Sequence, residues 1–124
     1  FKKVKESVKR LSQKFIIAAY SNSSIISVKK TLETINITDY FDGIFTSEMF
    51  PKSKPSLENL KFIISKFGVD PSDSVVVGNN YEKDIVPPKK LGAKTILFDP
   101  KDRYENAKKA DHIIKKFEDI IHLI

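Results

Sequence analysis

The sequence predicts an α/β fold in which a parallel sheet is covered by helices on both faces, and three observations carry that prediction. Short apolar runs alternate with amphipathic stretches of about 10–15 residues, the pattern of repeated strand–helix units. The run Phe15-Ile16-Ile17-Ala18-Ala19-Tyr20 is apolar throughout, as in a strand buried on both faces. A length of 124 residues suits one domain with a real core. Crossovers between parallel strands are right-handed, which places helices on both sides of the sheet.

Each element has its own signal. Phe1 to Lys14 sets Val4, Val8 and Leu11 at steps of four and three, with Lys and Glu on the other face, and predicts an amphipathic helix. The Phe15–Tyr20 run follows as a strand, bounded by Ser21-Asn22-Ser23-Ser24. Ser23 or Ser24 can cap a second helix carrying Ile25, Ile26, Val28, Leu32 and Ile35. Gly43 to Ser47 reads as a short strand, with Pro51 and Pro55 in the loop after it. Leu57, Leu60, Ile63, Ile64 and Phe67 share one face of a third helix that Gly68 stops. Pro71-Ser72-Asp73 turns into Ser74-Val75-Val76-Val77-Gly78, the clearest strand in the chain. Asp84 to Leu91 reads as a helix that tolerates Pro87 and Pro88 only in its first turn. Lys94 to Phe98 is a further strand, followed by an apolar piece at Ile113-Ile114 and a small helix, Phe117 to Leu123.

Composition narrows the function classes. A hydrophobic share of 40% and a charged share of 31% describe a globular chain and exclude disorder and collagen-like repeats. Zero cysteines exclude disulfides, thiol chemistry and thiolate metal sites, and two histidines argue against a His-rich metal site. No run reaches the roughly 18 apolar residues of a membrane helix, and no secretory signal is present, so the cytoplasm is the expected compartment. The net charge of +6 comes from 22 cations of which only Arg10 and Arg103 are Arg. The Lys pairs are scattered along the chain, most of them on predicted helix surfaces, and are not interleaved with aromatics, so no nucleic-acid partner is expected.

In a parallel α/β sheet, function sits at the carboxyl ends of the strands. Ser21 and Asn22 offer a hydroxyl and an amide there, beside the N–H groups of a helix start that suit a phosphoryl or carboxylate oxygen. Lys54 is a cation on a loop stiffened by Pro55. Gly78-Asn79-Asn80-Tyr81-Glu82-Lys83-Asp84 collects oxygen ligands suited to Mg²⁺. Alone, these read as a helix cap, a surface lysine and a polar turn; together they fall in order at successive strand ends.

Taken in order, the strand with Ser21-Asn22, Tyr40-Phe41-Asp42-Gly43 leading to Lys54-Pro55, and Val75-Val76-Val77-Gly78-Asn79 with Asp84 resemble the haloacid dehalogenase-like (HAD) hydrolases. Phe67-Gly68-Val69-Asp70-Pro71 and Leu91-Gly92-Ala93-Lys94-Thr95 support the resemblance, which runs over essentially all of residues 1–124. It implies a three-layer, Rossmann-like core and a phosphatase acting on a small phosphomonoester. Ser21 matches the residue whose hydroxyl holds an oxygen of the transferring group, with Asn22 beside it. Lys54 matches the lysine that offsets charge on the nucleophile and transition state. Asp84 matches an acid that holds Mg²⁺ directly or through water.

Two departures qualify what the resemblance implies. Asn79 stands where phosphatases of the family carry an acid, so Mg²⁺ should bind more weakly. Metal-free hydrolysis of a 2-haloacid is therefore the rival chemistry, since haloacid dehalogenases carry an Asn before their acid; Asn80 and Asp84 follow that pattern with one residue more between them. The family's nucleophile lies in an Asp-x-Asp motif on an earlier strand, in mid-sheet between the strands ending at Ser21 and Gly78, and no Asp-x-Asp occurs in this chain. Phe1 in place of Met is in keeping with a chain that is the later part of a core domain, lacking the nucleophile strand and the cap. An upstream segment or a second copy would complete the sheet, and these residues alone would be inactive. A non-catalytic binding module built on the same strand ends is the reading outside enzymology.

Overall fold

The structure is a computed structural model that describes residues 2–51 and 56–124, Ser56 by its backbone alone. Helix α1 (Lys2–Ser12) buries Val8 and leaves Lys2, Lys3, Glu6, Lys9 and Arg10 exposed, as the spacing requires. Strand β1 (Ala18–Ser21) is shorter than the apolar run predicts. The cause is local: the Phe15 N–H closes the turn after α1 by donating to the Leu11 carbonyl at 2.9 Å. Phe15 and Ile16 are left exposed, and Ile17 is held by Asp42, whose carboxylate accepts its N–H at 2.8 Å while the Asp42 N–H donates back to its carbonyl at 2.7 Å.

Helix α2 (Ile25–Thr34) is capped by Ser24, whose Oγ accepts the Ser27 N–H at 3.2 Å. Beyond it, Asn36 takes a φ of 58°, a left-handed turn that asparagine tolerates. Strand β2 (Gly43–Thr46) lies parallel to β1, from Ala18 opposite Gly43 to Ser21 opposite Thr46.

Two compact units divide the chain: Phe1–Ser53 with Ile120–Ile124, and Lys54–Asp119. The second opens with helix α3 (Ser56–Lys66), which buries Ile63 and Ile64 and ends at Gly68. Gly68 has a φ of +69°, where an L side chain is strained. Asp70 then caps a tight turn, its carboxylate held below its ordinary range by the amide and hydroxyl of Ser72. Strand β3 (Val75–Gly78) leads into a single π turn, Tyr81–Ile85, and then helix α4 (Val86–Lys90). The helix expected from Asp84 to Leu91 thus starts three residues earlier as a wider turn. Pro87 and Pro88, which lack an N–H to donate, sit where α4 begins.

Strand β4 (Lys94–Phe98) pairs in parallel with β3 and with β5 (His112–Ile114), giving the order β3-β4-β5. The apolar piece at Ile113-Ile114 is therefore a strand, and the last turn, Phe117–His122, is 3₁₀ rather than α-helical. Fully buried Ile85 and Leu97 join Ala107 in the core of this unit, with Tyr81, Tyr104 and Ala110 packed against it. Asp111 pins the start of β4: its carboxylate accepts the Thr95 N–H at 2.8 Å and pairs with the Lys89 ammonium.

The α/β class with parallel strands is borne out. Among the described residues, β1 pairs only with β2, and β3 only with β4. One long edge of each therefore has no strand partner, and Val75 and Val77 of β3 are each 37% exposed. No described helix is long and apolar enough to cross a membrane.

Candidate functional site

In the first unit, the parallel register brings Ser21 and Thr46 level at the carboxyl ends of β1 and β2. Ser21 is half-buried, and its Oγ accepts the Ser23 N–H at 3.1 Å, which leaves the hydroxyl proton free to donate. Asn22 is exposed, and its carbonyl lies 3.4 Å from the Ser47 hydroxyl, which donates to it. The helix start beside them is already engaged. Glu48, one residue beyond Ser47, accepts the Ile25 N–H at 2.7 Å, while Ser24 takes the N–H of Ser27. A carboxylate on the first turn of α2 uses the positive helix end that an anion would otherwise seek. Among the described residues, the Ser21 hydroxyl and the Asn22 side-chain amide are donors present at this strand end, with the buried Thr46 hydroxyl level with Ser21. Glu48 was not singled out from the sequence, where an acid after a strand has no mark separating it from surface charge.

In the second unit, Gly78, Asn79 and Asp84 lie at the carboxyl end of β3. The turn that follows closes on itself twice: the Asp84 N–H donates to the Asn80 carbonyl at 2.7 Å, and the Asn80 N–H donates to Asp84 Oδ2 at 3.0 Å. The Asn80 side chain accepts the Lys83 N–H at 3.1 Å and caps the turn. Gly78 makes this possible by having no side chain. A Cβ there would fall among the Cβ, Cγ and Oδ2 of Asp84. The carboxylate thus leans on the bare strand backbone, half-buried, with Oδ1 taking no hydrogen bond among the described residues.

The donor chemistry suits a hard cation held loosely by the protein. Asp84 brings one charge, and Asn79, exposed, brings a neutral amide oxygen. Mg²⁺ is commonly held by only one or two carboxylates together with water and substrate phosphate. No group of three or more His, Asp or Glu stands ready for a metal among the described residues. Lys54 lies outside the described residues.

A second layer supports the Asp84 turn. Asp99, only 2% exposed at the end of β4, accepts the N–H groups of Arg103 at 2.8 Å and Tyr104 at 3.1 Å. The Tyr104 hydroxyl accepts the Tyr81 N–H at 3.3 Å and donates to the Asn79 carbonyl at 3.4 Å. The Tyr81 hydroxyl in turn accepts the Lys109 N–H at 3.1 Å. The strand-end rule marks the position of Asp99; no sequence pattern marks Tyr104.

Comparison with known proteins agrees with this architecture. The family described as haloacid dehalogenase-like hydrolase matches residues 1–98. The chain is 28% identical over 130 residues to ribulose-1,5-bisphosphate 5-phosphatase of Halopiger xanaduensis, covering 97% of this chain and 54% of that protein. It is 31% identical over 93 residues to glyceraldehyde 3-phosphate phosphatase of Methanocaldococcus jannaschii, covering 73% of this chain and 40% of that one. The chain spans about half the length of these relatives. A crystal structure of a predicted phosphoglycolate phosphatase from Haemophilus somnus superposes with a TM-score of 0.85 at 23% identity, over 99% of this chain and 56% of that one.

Proposed function

The chain belongs to the haloacid dehalogenase-like hydrolases, and from that membership we propose that the intact protein is a magnesium-dependent phosphatase of a small phosphomonoester. In this reading residues 1–124 are the later part of the core domain, and the nucleophile is an Asp on an upstream strand. That carboxylate attacks phosphorus, the alcohol leaves, and water then splits the acyl phosphate to inorganic phosphate and the free acid. Ser21 and Asn22 donate to the non-bridging oxygens of the phosphoryl group, and Lys54 offsets charge on the nucleophile and the transition state. Asn79 and Asp84 would hold Mg²⁺, which supplies positive charge beside the phosphoryl group. The observation that carries the reading is the Asp84 carboxylate, fixed against Gly78 at a strand end with Oδ1 taking no hydrogen bond among the described residues.

Without a covalent nucleophile, residues 1–124 alone should be inactive, since losing such a group costs on the order of 10⁶-fold in rate. One observation favours a second chemistry: Asn79 is neutral, and hydrolytic removal of halide from a 2-haloacid needs no metal. The deciding assay uses the intact protein, with p-nitrophenyl phosphate turnover measured with and without Mg²⁺ beside halide release from a 2-haloacid. Phosphate release that requires Mg²⁺ is expected. Halide release indifferent to Mg²⁺ would replace the phosphatase reading with the dehalogenase one.

A further inference from the structure

We propose that Tyr104 is a positioning residue for the cation site, acting through the backbone that carries Asn79 and Asp84; the proposal rests on the magnesium reading above. Three observations on the second unit carry it. First, the Tyr104 hydroxyl spans the chain across Asn80, taking the N–H of Tyr81 at 3.3 Å and giving its proton to the carbonyl of Asn79 at 3.4 Å. Only a group that both donates and accepts can bridge those two backbone groups, and a phenylalanine ring can do neither. Second, Tyr104 is itself held. Both oxygens of buried Asp99 are used on the amides of residues 103 and 104, so the ring hangs from a backbone fixed to the end of β4. Its ring also lies 6.0 Å from that of Tyr81, centroid to centroid, and under the Arg103 guanidinium at 5.7 Å.

Third, the backbone that Tyr104 holds is the one whose shape places Asp84. The Asn80 N–H, between the two groups Tyr104 bridges, donates to Asp84 Oδ2, and the Asn80 carbonyl receives the Asp84 N–H. Release of the bridge frees the peptide units on either side of Asn80 and with them the direction of the carboxylate. Groups that orient a ligand from behind are commonly needed for metal affinity even though they never touch the ion. A site with one charged ligand has little affinity in reserve and depends the more on that support.

The test is a calorimetric Mg²⁺ titration of the intact protein and three variants, with amide hydrogen exchange at Tyr81. Tyr104→Phe keeps the ring and removes the bridge. Its affinity for Mg²⁺ should fall about 10-fold, the low end for an outer-shell change, with faster exchange at the Tyr81 amide and unchanged exchange in β4. Tyr81→Phe removes the hydroxyl that takes the Lys109 N–H but leaves the bridge, and should weaken binding much less than Tyr104→Phe does. Asp84→Asn should lose binding. If Tyr104→Phe binds as tightly as the wild type while Asp84→Asn does not, Tyr104 has no positioning role and the magnesium site stands. Equal weakening by Tyr81→Phe would show general loosening and likewise overturn the proposal. A wild type that takes up no Mg²⁺, indistinguishable from Asp84→Asn, would remove the magnesium reading and this proposal together.

Discussion

Replacing Gly78 by alanine separates two physical roles of glycine within one unit. At Gly78 no positive φ is involved, and the new Cβ would land on the Asp84 side chain. Either the strand end or the carboxylate must move. Overpacking of this kind costs about 1–3 kcal/mol, and a carboxylate that swings away also gives up its hydrogen bond from Asn80, worth about 1.5–3 kcal/mol before solvent replaces part of it. Because Asp84 is half-buried and can reach water, a net loss of about 2–3 kcal/mol is expected. Gly68→Ala is the counterpart. Nothing lies within 4 Å of that site, so only the φ of +69° resists a side chain. The cost there is about 1 kcal/mol. Urea unfolding of both variants in the intact protein measures the two losses, and Mg²⁺ titration asks what each does to the site. Gly78→Ala should lower stability more and also weaken Mg²⁺ binding, whereas Gly68→Ala should leave binding untouched. Wild-type stability and wild-type Mg²⁺ affinity in Gly78→Ala would refute the claim that this glycine exists to seat the carboxylate.

Other perturbations follow from single observations. The hydrogen bond from Lys89 holds the Asp111 carboxyl below its ordinary 3.8; burial opposes it, and the amide and hydroxyl of Thr95 add to the lowering. A carboxyl depressed on folding adds stability that is fully present above pH 3.8 and is lost as pH falls through the lower folded value. Urea midpoints should therefore decline below about pH 4, and Asp111→Asn should flatten that limb while costing about 1 kcal/mol at pH 7, a small figure because the pair is partly solvated. Thr46 is fully buried, and its hydroxyl lacks a partner among the described residues. Thr46→Val should raise stability by about 1 kcal/mol in thermal unfolding. Ile85→Ala, at a fully buried site, should cost about 3 kcal/mol and unfold the Asp84 turn with it, visible as faster amide exchange from Tyr81 to Ile85. In the intact protein Lys54→Ala should lower kcat by roughly 10²-fold, and an unchanged rate would show that this lysine has another role.

Most elements were legible because their signals are local. The spacing of Val4, Val8 and Leu11, the Ser24 cap, and Gly68 as a stop each appear in the fold where the sequence places them. The errors arose where one segment answered to two neighbours. Phe15 belongs by composition to a strand but by hydrogen bonding to the turn after α1. The stretch from Asp84 to Leu91 carries a helical pattern, yet the turn begins earlier, at Tyr81, and Asp84 and Ile85 belong to a wider π turn. Asn80 caps that turn, and Asp84 folds back onto Gly78. The strand-end rule led to Ser21, Asn22, Asn79 and Asp84 because chemistry in parallel sheets gathers at carboxyl ends. Glu48 and Tyr104 escaped because each acts on a backbone group more than 20 residues away: Ile25 is 23 positions from Glu48, and Tyr81 is 23 from Tyr104. No periodicity encodes such a contact.

The buried carboxylate of Asp99 has a kinetic meaning beyond its hydrogen bonds. The turn it fixes, through the amides of residues 103 and 104, is ordered as soon as the unit folds. Ordering a backbone residue costs about 1–2 kcal/mol in entropy, and here that cost is borne at folding rather than when a ligand arrives. A ligand taken up at this strand end, as the proposed function requires, would meet a turn already shaped.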